Sequence, residues 1–279
     1  MKERILVSAV VLLVMGGFAR AQDTFAPAQD TDLHGYVDLT WSGKYIWRGF
    51  DIYGDKSAIH PSLDLNLFGT GLGVNITGHR ANASGFEEGE RWDYNLYYVN
   101  KLLDGGVQYR LGWVYYNYPD LSSSTADLQE MHAILSLPKL CPAGVVPSYA
   151  LVKLWPSESG SMVGARSALP DGTPTHGTAS GFAHIFMLDY AWTVGGILPE
   201  TPEQVLNLHA EAVWNDGVGP NGANVDHDWS NAVFGVSTNI DLAQNVVLTP
   251  GIYHQITMDT SVNDDKDETW VSMGLQYKF

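Results

Sequence analysis

The sequence predicts an all-β protein, a 12-stranded antiparallel transmembrane β-barrel that follows a cleaved signal peptide. Three observations predict this fold. Twelve segments alternate apolar with polar residues, which is the period of a β-strand. The links between the segments alternate along the sequence, with a mostly short set after even-numbered segments and a mostly long set after odd-numbered ones, as in outer-membrane barrels. Aromatic residues make up 11% of the 279 residues and charged residues only 16%, against about 25% charged residues in ordinary soluble domains.

The beginning of the chain is typical of a secretory signal peptide. Two basic residues precede an apolar stretch over 5–18, and the Ala-x-Ala pattern of a cleavage site follows at 19–21. We therefore expect a signal peptide over 1–21, a short N-terminal segment over 22–33 and the barrel over 34–279.

Alternation identifies each strand in turn, because neighbouring side chains of a strand point to opposite faces of the sheet. In the second strand, for example, Ile59, Leu63 and Leu65 share one face while His60 and Asp64 share the other. The predicted strands are 35–47, 59–67, 72–79, 92–98, 107–115, 128–137, 145–155, 182–192, 206–215, 230–240, 246–255 and 271–279.

Two of these segments have mixed faces. In 145–155 and 182–192, Lys153 and His184 fall on the side that would otherwise be apolar.

The links support the barrel independently of the faces. Those after even-numbered strands include 69–71 and 103–106, whereas those after odd-numbered strands are longer and include 156–180. This asymmetry matches short periplasmic turns and long external loops.

The apolar faces are expected to contact lipid, and the polar faces to enclose the interior. The well-defined apolar faces carry no charge, and tryptophan and tyrosine cluster near strand ends, where aromatic girdles lie in membrane barrels. The girdle residues expected are Trp41, Tyr45, Trp47, Trp92, Tyr115, Trp155, Trp192, Trp214 and Trp270. The last strand ends on Phe279, which resembles the signal that the bacterial barrel-assembly machinery recognises. We therefore expect that machinery and outer-membrane lipid as partners, in a Gram-negative-type bacterium.

One stretch resembles a known family. The sequence Ser-Gly-Lys-Tyr-Ile-Trp-Arg-Gly-Phe-Asp at 42–51 precedes His-Pro-Ser-Leu-Asp-Leu at 60–65. This is similar to the porin-like family called TorF, or Gcw_chp, in which a Ser-x-Tyr-x-x-Arg-Gly stretch precedes a strand that contains proline. Here Gly43 is one extra residue within that stretch. The likeness covers roughly 43–155; it implies an outer-membrane barrel that could serve as a channel, and it carries over no catalytic residue.

Charged and histidine side chains on the polar faces are expected to line the interior, where carboxylates favour cations. The predicted pore-lining residues are Asp38, Lys44, His60, Asp64, His79, Asp93, Arg110, Glu130, His209, Glu211 and Lys278. The predicted function is passive diffusion of small solutes with a preference for cations. Twelve strands fall between the ~8 whose side chains fill a barrel and the ~16 that leave an aqueous channel. The same residues could therefore form ion pairs that fill the interior.

Two other functions stay open. The barrel could be a non-conducting structural or partner-binding platform, with the link 156–180 as its main contact surface. Less favoured is an outer-membrane hydrolase, for which Asp-His-Asp at 226–228 is the only hint. No catalytic residue, cofactor or metal site is predicted, and the acidic runs 87–90 and 264–268 are interpreted as a solvated rim. A single cysteine excludes a disulfide scaffold, and 31 acidic against 15 basic residues argue against nucleic acid as a partner.

Overall fold

The computed structural model describes residues 33–141, 144–157, 162–168, 174–177, 180–196, 203–217 and 227–279. The predicted signal peptide over 1–21 lies outside the described residues, as does all but the last residue of the segment 22–33. Much of the long link 156–180 also lies outside them.

Twelve antiparallel strands form the wall of the barrel, and each overlaps one predicted segment. In chain order they are β1 His34–Ser42, β2 Ala58–Asn66, β3 Leu72–Ala81, β4 Arg91–Leu102, β5 Val107–Asn117, β6 Leu128–Ser136, β7 Val145–Pro156, β8 Gly181–Gly195, β9 Glu203–Asp216, β10 Asp228–Thr238, β11 Val246–Thr257 and β12 Glu268–Lys278. Each strand pairs with its neighbours in the sequence.

The barrel closes between its first and last strands. Strands β1 and β12 pair from Tyr36 opposite Lys278 to Ser42 opposite Ser272. Gly35 and Phe279 extend this ladder with two backbone hydrogen bonds of 3.0 Å. Closure removes the sheet edge, whose unpaired backbone groups would each cost several kcal/mol in hydrocarbon. The predicted 12-stranded antiparallel barrel is confirmed.

Long and short links lie at opposite ends, which we call the external and periplasmic ends. The external links are 43–57, 82–90, 118–127, 157–180, 217–227 and 258–267, and the periplasmic links are 67–71, 103–106, 137–144, 196–202 and 239–245. The remaining elements are the paired strands Ile46–Trp47 and Phe50–Asp51, the paired strands Met162–Ala168 and Pro174–Gly177, the strand Ile240–Ala243, the helix Ser123–Ala126 and the 3-10 turns Glu87–Gly89, Leu103–Gly105 and Asn263–Asp265. No helix in the described ranges has the length and hydropathy of a membrane span.

The apolar faces point outward. On β12, Val271, Met273 and Leu275 are 45%, 50% and 46% exposed, whereas Ser272 and Gln276 are 5% and 3% exposed. The other strands repeat this division, so apolar side chains cover the outer wall. An apolar surface of this extent is typical of contact with lipid rather than with water. The predicted assignment of the two faces is therefore confirmed for the well-defined strands.

Three of the predicted girdle residues lie inside the barrel instead. Tyr45, Trp47 and Trp270 are only 5%, 1% and 4% exposed. The first strand, predicted over 35–47, ends at Ser42, and the chain beyond it folds into the interior. Aromatic residues near a strand end fit a girdle and an inner packing cluster equally well, because both positions favour large amphipathic rings.

Candidate functional site: the barrel interior

A short hairpin occupies the external half of the interior. We call residues 45–53 the inner hairpin; in it Ile46 pairs with Asp51, and Trp47 with Phe50. Its turn has positive φ angles at both central residues, 52° at Arg48 and 91° at Gly49. A two-residue turn of this kind favours glycine at its second position and closes a tight hairpin. Its residues therefore fold back inside the wall as a compact unit.

The tip of the inner hairpin is bound to β11 and to the external link that follows it. The carbonyl oxygen of Gly49 accepts hydrogen bonds from Gln255 Nε2 at 2.8 Å and from Asn263 Nδ2 at 2.6 Å. The backbone N–H of Asp51 donates to Asn263 Oδ1 at 2.7 Å. These bonds join the hairpin to one side of the wall.

The opposite side of the wall holds the hairpin through a buried ion pair. Arg48 Nη2 contacts Glu130 Oε2 on β6, and both side chains are 0% exposed. The hydroxyl of Tyr116 donates to the same oxygen at 2.6 Å, and His132 Nδ1 lies 3.2 Å from the other oxygen of Glu130. The rings of Trp47 and Tyr116 pack edge to face, with their centroids 5.8 Å apart. Because it is held on both sides, the inner hairpin narrows the external half of the lumen.

Arg91 supports the base of the hairpin. Its Nε and Nη2 donate to the two carboxylate oxygens of Asp93 at 2.6 and 2.9 Å, and Nη2 also donates to the Tyr45 hydroxyl at 2.8 Å. The guanidinium lies 4.8 Å from the ring centroid of Trp47 and 4.5 Å from that of Tyr116. Bidentate and ring contacts of this type suit arginine rather than lysine.

Two of the predicted pore-lining histidines belong to one chain of hydrogen bonds. Ser42 Oγ lies 2.8 Å from His60 Nε2, the two Nδ1 atoms of His60 and His79 are 2.8 Å apart, and His79 Nε2 lies 3.1 Å from Asp93. At least one of the two histidines must be neutral for this chain to be complete, since one of the two Nδ1 atoms has to accept the hydrogen bond that the other donates. Tyr45 stacks on His79 at 4.7 Å. This chain of hydrogen bonds, with the ring of Tyr45 stacked on it, therefore connects the wall to the inner hairpin.

Lys44 lies at the external mouth. It contacts Asp55 and Glu268, and although burial opposes its charge, the hydrogen bonds to these two carboxylates raise its pKa. Asp51 lies beside them, and burial raises the pKa of its carboxyl. Oxygens of Asp51, Asp55 and Glu268 lie within 4.8 Å of one another, a spacing that a cation could use. The ammonium of Lys44 already contacts two of the three.

The periplasmic half of the interior has a different character. The Tyr97 hydroxyl donates to Asp64 at 2.7 Å, and the Arg110 guanidinium lies 3.8 Å from the Tyr97 ring centroid. The ring lies flat over Gly73, where an added Cβ would be only 2.2 Å away. An aromatic side chain packed over glycine in this way fixes the position of the ring on the wall.

The opposite wall carries an acidic group of side chains. His209 Nδ1 lies 2.8 Å from Asp189 and its Nε2 lies 3.6 Å from Glu211. Asp38, on β1, accepts a hydrogen bond from Thr40 at 2.7 Å. Lys278 is exposed at the periplasmic end of β12, where it pairs with Tyr36 of β1.

An apolar patch lies on the interior face of β6 to β9, which the sequence analysis did not predict. Val152, Leu154, Ile185 and Val213 are at most 1% exposed and belong to one buried cluster with Trp47 of the inner hairpin. This patch explains the mixed faces of 145–155 and 182–192. Their inward residues are apolar because they contact the hairpin, so alternation with the outward face is weak.

Several buried charged residues were not predicted from the sequence, among them Arg48, Arg91, Asp189 and Glu268. Arg48 and Arg91 lie in or beside links rather than in the clear strands, and Asp189 lies in a segment with mixed faces. The Arg48-Gly49 turn signal between aromatic residues could have indicated the hairpin, because alternating residues on both sides of such a turn are typical of one. Nothing in the local sequence indicates that the hairpin folds inward.

Comparison with solved structures supports the barrel. The KdgM porin in complex with disordered oligogalacturonate matches with a TM-score of 0.52 and 9% identity, over 88% of this chain and 99% of that one. The COG4313 outer membrane channel from Pseudomonas putida F1 matches with a TM-score of 0.52 and 12% identity, over 92% and 98%. This chain is an outer-membrane β-barrel. At these identities the likeness concerns the fold.

No family model matches the chain, and no curated protein sequence matches it. The TorF-type family is therefore not confirmed, and the resemblance to it rests on sequence stretches within roughly 43–155, of which the motif at 42–51 is the first. The structure gives that motif a physical role, since most of it forms the inner hairpin and its base.

Proposed function

We propose that this outer-membrane barrel is a passive diffusion channel for small solutes with a preference for cations, narrowed in its external half by the inner hairpin. The observation that carries the proposal is the polar lining of the periplasmic half. In the middle and the periplasmic half, the buried atoms Asn95 Oδ1, Gln276 Nε2 and both polar side-chain atoms of Asn207 have no hydrogen-bond partner among the described residues. A buried polar atom without a partner costs about 1–3 kcal/mol. Water that enters a hydrated lumen, after small side-chain shifts, would remove this cost.

The distribution of charge supports the preference for cations. In the external half, Arg48 and Arg91 lie against Glu130 and Asp93, so these charges compensate each other. In the middle and the periplasmic half, the described interior carries four inward carboxylates, one inward guanidinium and the ring of His209, which lies between two of the carboxylates. The charged residues are Asp38, Asp64, Asp189, Glu211 and Arg110. Carboxylates that line a pore concentrate cations and repel anions.

Planar-bilayer conductance of the refolded full chain tests the proposal. In a gradient of KCl, the reversal potential should show a preference for K⁺. The double variant Asp64→Asn with Glu211→Gln should reduce that preference, because each amide keeps an acceptor oxygen but removes a charge. Asp120→Asn is the matched control, since Asp120 is exposed in the link 118–127, and it should leave the preference almost unchanged. Anion preference, or an equal effect of both variants, would contradict the role of the lumen carboxylates.

A non-conducting platform is the second candidate, favoured by the inner hairpin and the apolar patch that it contacts. The same recordings separate the two candidates. A channel conducts in the unchanged protein, whereas a sealed barrel conducts only after the hairpin is displaced.

A further inference from the structure

Lys153 is a cation on the lipid-facing wall. It lies on the outward side of β7 near the external end, and its Nζ lies 4.3 Å from the ring centroid of Phe182 and 3.2 Å from Ser180 Oγ. Within the described ranges no carboxylate forms an ion pair with it. Next to it on β8, His184 Nδ1 lies 2.7 Å from the Tyr149 hydroxyl. In a chain with 31 acidic and 15 basic residues, a lysine placed towards lipid with no acidic partner among the described residues requires a reason.

An apolar groove of about 420 Å³ leads to this lysine across the outer wall. It extends from Leu72, the first residue of β3 at the periplasmic end, to Phe182 near the external start of β8. The outward side chain of Ala133 is a single methyl group, so few side-chain atoms fill the middle of the groove. The larger side chains along it are Leu96, Tyr98, Leu111, Trp113, Met131 and Leu151. Because Leu72 and Phe182 lie near opposite ends of their strands, the groove runs diagonally over the height of the apolar belt.

The groove has the shape and the polarity of a site for one lipid. Acyl chains surround the barrel everywhere, so apolar contact alone selects no particular lipid. A lysine near the end of a spanning element extends its ammonium to the headgroup layer. At the external end that layer belongs to the outer leaflet, and a phosphate there would complement the charge of Lys153.

We propose that this groove binds a phosphorylated, acylated glycolipid of the outer leaflet, with an acyl chain along Ala133 and a phosphate at Lys153. His184 and the Tyr149 hydroxyl lie beside the phosphate position and add hydrogen-bonding capacity. The proposal requires only the barrel and its orientation, and it is independent of whether the lumen conducts.

Binding of bisphosphorylated lipid A to the full-chain barrel in an uncharged detergent, measured by native mass spectrometry, tests this site. The unchanged protein should bind one molecule in preference to further ones. Lys153→Gln should weaken that binding about tenfold, equivalent to about 1.4 kcal/mol, and Ala133→Phe should weaken it by filling the groove. Arg80→Gln is the matched control, because Arg80 is also outward and exposed but pairs with Glu90 at 3.0 Å. It should bind as the unchanged protein does.

Three outcomes would overturn the proposal. Equal binding by Lys153→Gln and the unchanged protein would remove the lysine from the site. Equal loss in Arg80→Gln would reduce the effect to general charge. Equal binding of dephosphorylated lipid A, or of phosphatidylglycerol, would exclude recognition of the glycolipid phosphate. Circular dichroism of each variant verifies that the barrel is folded before binding is compared.

Discussion

Arg48 and Glu130 form the contact on which the position of the inner hairpin depends most directly. Both side chains are fully buried, and they lie on segments 82 residues apart. A buried ion pair adds little net stability, because desolvation of both charges offsets their attraction. Removal of one partner is different, since it leaves an uncompensated charge and costs about 3–5 kcal/mol.

The variant Arg48→Met should therefore displace the inner hairpin. The widened lumen should give a larger single-channel conductance than that of the unchanged barrel. The variant should also unfold at a lower temperature. The double variant Arg48→Met with Glu130→Gln is the control, because it removes both charges and keeps an acceptor for the Tyr116 hydroxyl. Its conductance should return towards that of the unchanged barrel. If the single variant conducts like the unchanged protein, the ion pair does not hold the hairpin in place.

At the scale of elements, the inner hairpin depends on the backbone of its turn. Gly49 has φ of 91°, and an added Cβ would lie 2.7 Å from the Asn231 side-chain oxygen. Gly85, in an external link, has nearly the same φ of 87°, with no atom within 4 Å of an added Cβ. Comparing alanine substitutions at the two glycines therefore separates the effect of backbone strain from the effect of close contact with the wall.

Gly49→Ala should destabilise the barrel more than Gly85→Ala. Both variants carry the cost of a left-handed residue, about 1–2 kcal/mol, but only the first must also push the hairpin from β10, at a further cost of about 1–3 kcal/mol. Thermal unfolding measures the difference, and current noise at constant voltage reports loosening of the hairpin. Equal losses of stability would show that the tip does not press against the wall.

The wall of the barrel could be predicted from the sequence, but the inner hairpin could not. Each strand can be recognised from its own stretch of sequence, because lipid on one side and a polar interior on the other impose alternation along the strand. The position of the hairpin is set by contacts distant in sequence, such as Gly49 with Gln255 and Arg48 with Glu130. Tyr45 and Trp47 continue the alternation of β1, so the pattern gives no sign that the chain leaves the wall after Ser42.

The residues of the candidate site could be predicted from the sequence only in part. Residues in clear strands, such as Asp64 and Glu211, could be assigned to the interior from alternation alone. Their partners could not, since Arg48 and Arg91 enter from links and their pairing with Glu130 and Asp93 depends on the fold. An inventory of inward carboxylates from the sequence thus overstates the charge of the external half, where arginines compensate it.

On the scale of the whole molecule, acidic residues lie in two regions, the external links and the lumen. The charges of the two regions act on an ion over different distances. The protein has a net charge of −16, and its external links carry acidic runs such as 87–90. These exposed charges act through solvent, where the screening length falls from about 30 Å at 0.01 M salt to about 3 Å at 1 M. Carboxylates inside the lumen lie closer to a passing ion and are screened less.

The preference for K⁺ over Cl⁻ should therefore fall as the salt concentration rises, but not to unity. Reversal potentials measured at a fixed concentration ratio, from about 0.01 M to about 1 M KCl, give the permeability ratio at each step. The residual preference at high salt should fall in the double variant Asp64→Asn with Glu211→Gln, because it belongs to the lumen. That variant should keep most of the salt-dependent part, which belongs to the external links. A permeability ratio independent of salt in the unchanged protein would assign the whole preference to the lumen and contradict a contribution from the rim.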